Sequence, residues 1–465
     1  MKKLIALLLA VAMVACLFAG CGSTEETTAA TEATTTAAPE TDAQEETTEP
    51  EETTEPAKEP VTLRFWQAGG EDEAATARMR ELLDEFEATY DWITVEFKTV
   101  PWSDDPHTQF QTGIAGGDIA DVLVLGSPLD FQLAGEGNLL ALDDLLTEEV
   151  LADMSDVLKN ECTYWGSENA DMYGKMMSVP LFGGGRAMLY NKEIFDFFGV
   201  EYPTEGMSHA DLLEMAKKLT GDMNGKKVYG FGTRATTSEQ YLNFVWNYGA
   251  KIVDSNTMTA ATNSAEWQKG IEDYLAFYQA GVTPEGAVNL SGDELLTLFM
   301  NGEVAMFIAA VDYAKDMLDP EKTPDAAAWE TKLGIAPLVG ETYATCYCGA
   351  DVLAVPASAQ ENIEEAALLI NYLMGTYVQT EYNKVSGFFP GVKSAAADPY
   401  FTEDFIQAGF AAVMEGAHYF GNYGVPGVGT ILKANIQMLI NGEITMEQYL
   451  ENITNEINAA AAEMG

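Results

Sequence analysis

Beyond residue 60 the apolar positions fall into short, regular runs. Val61-Thr62-Leu63-Arg64-Phe65-Trp66 alternates apolar and polar residues and stops at Gly69-Gly70, which predicts an opening strand ending in a loop. Between Glu73 and Tyr90 the period changes, with Met79, Leu82, Leu83, Phe86 and Tyr90 at helical spacing, and Ile93, Val95 and Phe97 then alternate again. Ala120 to Leu125 is a continuous apolar run bounded by Gly126, the pattern of a strand buried on both faces. Strand, helix, strand, helix, strand predicts an α/β fold with a largely parallel sheet. The same grammar resumes with a strand at Tyr229–Gly232, helices around Tyr241–Tyr248 and Trp267–Tyr278, and a short strand over Ala305–Ile308. Two helices, Thr430–Asn441 and Met446–Asn458, close the chain on either side of Gly442. No repeat of 20 to 50 residues is present, which excludes a solenoid.

The first 60 residues follow no such pattern. Met1 to Cys21 has a two-lysine start, an apolar stretch and a small-residue close, as a secretory signal has. Gly22 to Pro60 is almost wholly Ser, Thr, Ala, Glu and Pro, a composition that cannot nucleate a core and predicts a disordered acidic tether with a reach of roughly 35 Å. Nothing after the signal is long and apolar enough to predict a transmembrane helix. The net charge of −49 argues against nucleic acid or anionic lipid headgroups as partners. Of the cysteines beyond Cys21 only Cys162, Cys346 and Cys348 lie in the folded part, so no disulfide framework is expected, although the spacing leaves open whether any of them pair. Cys346-Tyr347-Cys348 lacks the second pair a metal site would need, and neither a metal nor a cofactor is expected.

Several strings taken together resemble the family 1 extracellular solute-binding proteins, the maltose- and multiple-sugar-binding lipoproteins of ABC importers. They are "VTLRFWQAGG", "GIAGGDIADVLVL", "LAGEGNLLALDDLL", "SVPLFGGGRAMLYNKEIFDFFGVEYP", "VWNYGAKIVD", "LFMNGEVAMF", "CGADVLAVPASAQENIEEAALLINYLM", "SGFFPGVKSA" and "NGEITMEQYLENITNEI", in that order between about Val61 and Asn458. The resemblance implies a two-lobed α/β fold of the periplasmic-binding type with a ligand cleft between discontinuous lobes. Three crossings are implied, near Phe182–Met188, Ile335–Val339 and Gly375–Tyr382. They divide the chain into a signal (1–20), a lipidated Cys21 with tether (21–60), a first lobe (61–186 with 335–376) and a second lobe (187–334 with 377–465). Phe18-Ala19-Gly20-Cys21 resembles a bacterial lipobox, which implies acylation of Cys21 and attachment at the outer face of the membrane through lipid alone. Gly183-Gly184-Gly185 is read as a crossing that can bend, or as a plain turn.

A sugar offers hydroxyl rims and apolar C–H faces, so its site needs rings to stack on and planar polar groups to take paired hydrogen bonds. Trp66, Gln67 and Glu71, at or just after the end of the first strand, are candidates, as are Ser127 and Asp130 after the third. Trp66 also suits the core. Arg186 lies in the first crossing, where a basic residue in so acidic a chain needs a carboxylate partner or a ligand. Glu239 and Tyr241 are candidates from a later helix, and Trp246 suits core or site equally. After "GEVAMF" the resemblance implies Gly and a stacking aromatic, but this chain has Asp312 and Tyr313 there, a departure toward a more polar ligand. The resemblance implies a Gly-rich, ligand-facing turn at Cys348-Gly349-Ala350-Asp351, with Asp351 its acid, and Phe388 and Phe389 wall the cleft or plug the space beneath Pro390.

The three histidines are scattered, and no Ser-His-Asp or His-Glu-x-x-His arrangement occurs. The expected protein is therefore not an enzyme. It is a monomeric receptor that captures a carbohydrate, an oligosaccharide by preference, and passes it to ABC permease subunits. The alternatives are a polyamine or phosphorylated polyol in the same role, or a cell-surface glycosidase built on two carboxyl groups.

Overall fold

The computed structural model describes residues 58–70, 74–101, 104–126, 129–166, 169–204, 206–254, 257, 259–338, 346–414, 417–419, 425 and 427–462. The strands that position the site are β1 (Val61–Ala68), β2 (Ile93–Val100), β3 (Val122–Gly126), β4 (Val179–Gly184), β5 (Arg186–Asn191), β6 (Met306–Ala310), β7 (Leu333–Ala336), β8 (Cys346–Ala354), β9 (Phe389–Pro390) and β10 (Ala417–Tyr419). The helices are α1 (Ala74–Thr89), α2 (Pro106–Gly116), α3 (Glu239–Trp246), α4 (Ala265–Gln279), α5 (Val311–Leu318) and α6 (Thr376–Ser386).

Two sheets carry two hydrophobic cores. The larger sheet runs β9-β4-β8-β3-β1-β2, with β10 beside β8, and the smaller runs β6-β5-β7. Phe65, Phe86, Phe110 and Tyr164 belong to the first core, and Phe195, Phe231, Trp267 and Tyr449 to the second. In α1 the predicted stripe of Met79, Leu82, Leu83 and Phe86 is buried, as its spacing requires.

The parallel plan holds for only part of the larger sheet. β1 pairs in parallel with β2 and β3, whereas β8 lies antiparallel between β3 and β4. The reason is topological: β3 and β4 run toward the junction of the lobes, and a strand returning from the second lobe must run away from it. In the smaller sheet every pairing is antiparallel, for the same reason. Tyr229–Gly232 is not a strand; Tyr229 and Gly232 make single bridges to Val304 and Phe307.

The chain passes from the larger sheet to the smaller across Gly185, since Gly184 pairs with Gly349 and Arg186 with Ala310. It returns between β7 and β8. The third passage differs from the expectation of Gly375–Tyr382. Helix α6, which spans that stretch, packs on α1 in the first lobe, with Val378 and Tyr382 in the first core and Glu381 3.4 Å from Arg78. Phe389 already reaches into the second core, but Val392 and Ala395 still belong to the first and Phe401 to the second, so the chain leaves the first core for good after Ala395. An amphipathic helix announces that it has an apolar face, not which of two cores receives it.

Within the second lobe α3 and α4 meet at Gly270, where a Cβ would stand 2.7 Å from the backbone nitrogen of Val245. Because the obstacle is main chain, it cannot rotate away. Gly270→Ala is expected to destabilise the protein by about 1–3 kcal/mol despite alanine's better helix propensity. Denaturant unfolding is the check, and a more stable variant would show that the two backbones are not in contact.

Candidate functional site

The ordinary helical turn explains how α3 builds one wall. Residues 239, 243 and 246 are spaced i, i+4 and i+7 and therefore share a face. That face meets Tyr347, at the start of β8. The Tyr347 backbone N–H donates to Asn243 Oδ1 at 2.6 Å, and its ring lies parallel to Trp246 with centroids 6.1 Å apart. Arg186 covers the Tyr347 ring at 5.3 Å.

Glu239 gathers two of the chain's five arginines. Arg186 Nε and Nη2 lie 2.8 and 2.7 Å from Oε2, and Arg234 Nη2 lies 2.7 Å from Oε1. Burial raises the Glu239 pKa, but Arg186 and Arg234 together outweigh it and hold the carboxyl below the usual range. For Arg186 burial works against the charge, and Glu239, then Tyr347, more than compensate, so its pKa rises. Burial pushes the Tyr347 hydroxyl up to about 12. Arg186 Nη1 donates in addition to the Gly184 carbonyl at 3.3 Å.

Asp312 and Tyr313 open α5 beside this network. Asp312 is exposed. Surrounding protein mass raises its pKa, while Arg186 and the backbone N–H groups of Tyr313 and Asp312 pull the other way. Tyr313 is half-buried, with its hydroxyl against Gly292, where any side chain would displace it. On the other flank Phe388 stacks on Phe182 with centroids 4.6 Å apart and planes 8° from parallel, and Tyr382 extends the stack. Gly184 permits this: a Cβ there would stand 2.7 Å from the Phe388 ring.

Arg186, Glu239, Trp246, Asp312 and Tyr313 therefore come together. Other candidates do not join them. Tyr241, two residues beyond Glu239, points about 200° around the helix, is 0% exposed and packs on Tyr274 in the second core. Trp66 and Gln67 are neighbours on a strand and so face opposite sides of it. Trp66 is 8% exposed, packed near Phe110 with Lys98 Nζ 3.9 Å from its ring, and thus lies in the core. Gln67 is buried and donates to the Tyr382 hydroxyl at 3.2 Å. Asp130 is buried where Ser178 donates to it at 2.7 Å. Phe389 fills the second core near Phe401, and its half-buried neighbour Phe388 makes the stack. Asp351 lies within β8, paired with Gly126 at the end of β3, where its carboxylate and the His107 ring both border Gly126. Glu71 and Ser127 lie outside the described residues, as do Cys21 and the tether.

Arg234, Asn243 and Tyr347 are additions. The scarcity of cations that singled out Arg186 applies equally to Arg234. Tyr347 carried no signal, because its role depends on β8 starting at the junction of the lobes. Cys162 and Cys348 are buried, and the side chain of Cys346 lies outside the description. Among the described residues no His, Cys, Asp and Glu are grouped to hold a metal, and no helix is long and apolar enough to cross a membrane.

A recess of about 330 Å³ lies elsewhere, bordered by Asn191, Glu193, Lys226, Asn301, Trp329 and Lys332. Asn191 is five residues along β5 from Arg186, roughly 17 Å away at the rise of an extended strand. Its polar groups are engaged with one another: Lys332 pairs with Glu193 at 2.8 Å, and Lys226 donates to the Asn301 carbonyl at 2.6 Å.

Residues 70–380 match the family model described as bacterial extracellular solute-binding protein. The chain is similar to a binding protein of Brucella abortus (strain 2308), 24% identical over 73% of this chain and 78% of that one. It is similar also to the sn-glycerol-3-phosphate-binding periplasmic protein UgpB of Rhizobium meliloti (strain 1021), 21% identical over 87% of this chain and 95% of the other. Among solved structures it resembles the sugar-binding protein MalE from Xanthomonas citri, with a TM-score of 0.70, 20% identity, and coverage of 87% and 98%.

Proposed function

Because the chain belongs to the bacterial extracellular solute-binding protein family, we propose that it captures a carbohydrate between its lobes and delivers it unaltered to an ABC permease. The supporting observation is the Arg186–Glu239–Arg234 network. Both guanidinium groups are engaged by one carboxylate, and Asp312 adds a second negative charge beside them. Two positive and two negative charges leave a site rich in hydrogen-bonding groups with no surplus cation. That arrangement suits neutral hydroxyls better than a phosphate, which favours a sugar over the glycerol phosphate of the UgpB relatives. Phe388, half-buried and stacked on Phe182, supplies a ring for the sugar's C–H face. Capture works through differential affinity: a ligand that touches both lobes only when they close shifts the population toward the closed form.

The test is a thermal-shift screen of mono- and oligosaccharides against sn-glycerol 3-phosphate and polyamines. A bound sugar at 100 times its Kd should stabilise the protein by about 2.7 kcal/mol, and it should be recovered intact after long incubation. Stabilisation by the phosphate alone would overturn the carbohydrate reading, and cleaved sugar would overturn the receptor reading.

Attachment through Cys21 follows from the lipobox-like Phe18-Ala19-Gly20-Cys21. Cys21→Ser is expected to release the protein from the membrane fraction. A variant that stays membrane-bound without a lipid label contradicts the anchor.

A further inference from the structure

We infer that Arg186 couples the ligand cleft to the first crossing, clipping Gly184 of one lobe to Glu239 of the other across the single residue Gly185. The inference rests on the solute-binding reading, to which it adds a means of regulating closure. β4 ends at Gly184 in the larger sheet, and β5 begins at Arg186 in the smaller. Rotation between the lobes at this crossing must be absorbed by the Gly185 dihedrals and the peptides beside them.

The two ends of the clip belong to different bodies. Arg186 Nε and Nη2 are held at 2.8 and 2.7 Å by Glu239, whose other oxygen is held by Arg234, so the guanidinium travels with the second lobe. Nη1 reaches back to the Gly184 carbonyl at 3.3 Å, and that carbonyl travels with the first. Short charge-assisted bonds to a carboxylate outlast one long bond to a neutral carbonyl. When Gly185 turns, the Gly184 bond yields and the Glu239 bonds persist. Nη1 is thereby a donor with two competing acceptors, the Gly184 carbonyl in one hinge setting and a ligand oxygen in the other. Glu239 and Arg234 are positioning residues: Glu239 holds Arg186 through one oxygen, and Arg234 holds Glu239 through the other.

The test needs no ligand, so its outcome stands apart from that of the sugar screen. Arg186→Lys keeps a charge for Glu239 but cannot fork to Gly184 as well. Because the Gly184 bond holds the setting that ligand does not occupy, ligand-free Arg186→Lys is expected to lose part of the open population and show a smaller radius of gyration in solution scattering, with roughly tenfold faster amide exchange across Gly183–Met188. Its melting temperature should stay nearer the wild type than that of Glu239→Gln. Unchanged scattering and exchange in a folded Arg186→Lys would overturn the coupling. If that variant does not fold, Arg234→Lys, which loosens Glu239 while leaving Arg186 in place, should speed the same exchange to a smaller degree, and no change there would overturn it equally.

Discussion

Glu239→Gln is expected to lower the unfolding free energy by about 3–5 kcal/mol and to abolish ligand binding at any practical concentration. The charge lost is the common partner of two guanidinium groups whose side chains are each 17% exposed. An amide can offer one oxygen to Arg186 or to Arg234, not both, and it removes the charge that offsets their desolvation. The remaining cations, mostly buried, are then left poorly compensated, which costs more than the net value of the original pairs. Urea unfolding of both proteins at neutral pH measures the first effect, and titration with a sugar identified by the thermal screen measures the second. Stability within about 1 kcal/mol of the wild type, the range of exposed ion pairs, would show that solvent screens the network.

The second large effect is on pH dependence. Glu161 lies beside Asp130, with its Oε2 buried and without a hydrogen-bond partner among the described residues. Burial, with Asp130 adding to it, raises its pKa to about 8. The folded protein therefore holds a proton that the unfolded chain has already released. By linkage, the neutral form's contribution is fully present below the ordinary carboxyl range, is lost progressively as pH rises to about 8, and falls no further above that. The loss amounts to roughly 3–5 kcal/mol. Glu161→Gln fixes the neutral state, so its stability should decline much less than the wild type's between pH 5 and pH 9, whatever the remaining acids contribute to both. Parallel stability profiles would rule out the shift.

The periodicity of the sequence located most elements, because burial on one face fixes spacing within a segment. It did not reveal strand direction, which depends on where the chain has been beforehand: β8 reads as an ordinary buried strand and lies antiparallel only because it returns from the second lobe. Charge was the conspicuous signal at Arg186 and Glu239, which the fold brings into contact. Aromatic rings gave mixed guidance: Trp246 and Tyr313 join the charged group, whereas Trp66, Tyr241 and Phe389 satisfy the core with the same chemistry that would satisfy a sugar. Helix and strand geometry alone separates Glu239 from Tyr241 and Trp66 from Gln67, though it does not say which member of each pair faces the ligand. The third passage was misplaced because either core could accept the apolar face of α6.

The place of β8 between β3 and β4 also bears on the order of folding. A chain that emerges N-terminus first presents β3 and β4 with the strand that joins them still missing, until residue 354 has followed more than 150 residues of the second lobe. The first lobe to appear is thus among the last to be completed. Pairings between strands so far apart in sequence close slowly, which leaves a long interval in which the nascent chain is unfolded enough to be threaded through a narrow channel and two unpaired strand edges need shielding from other chains.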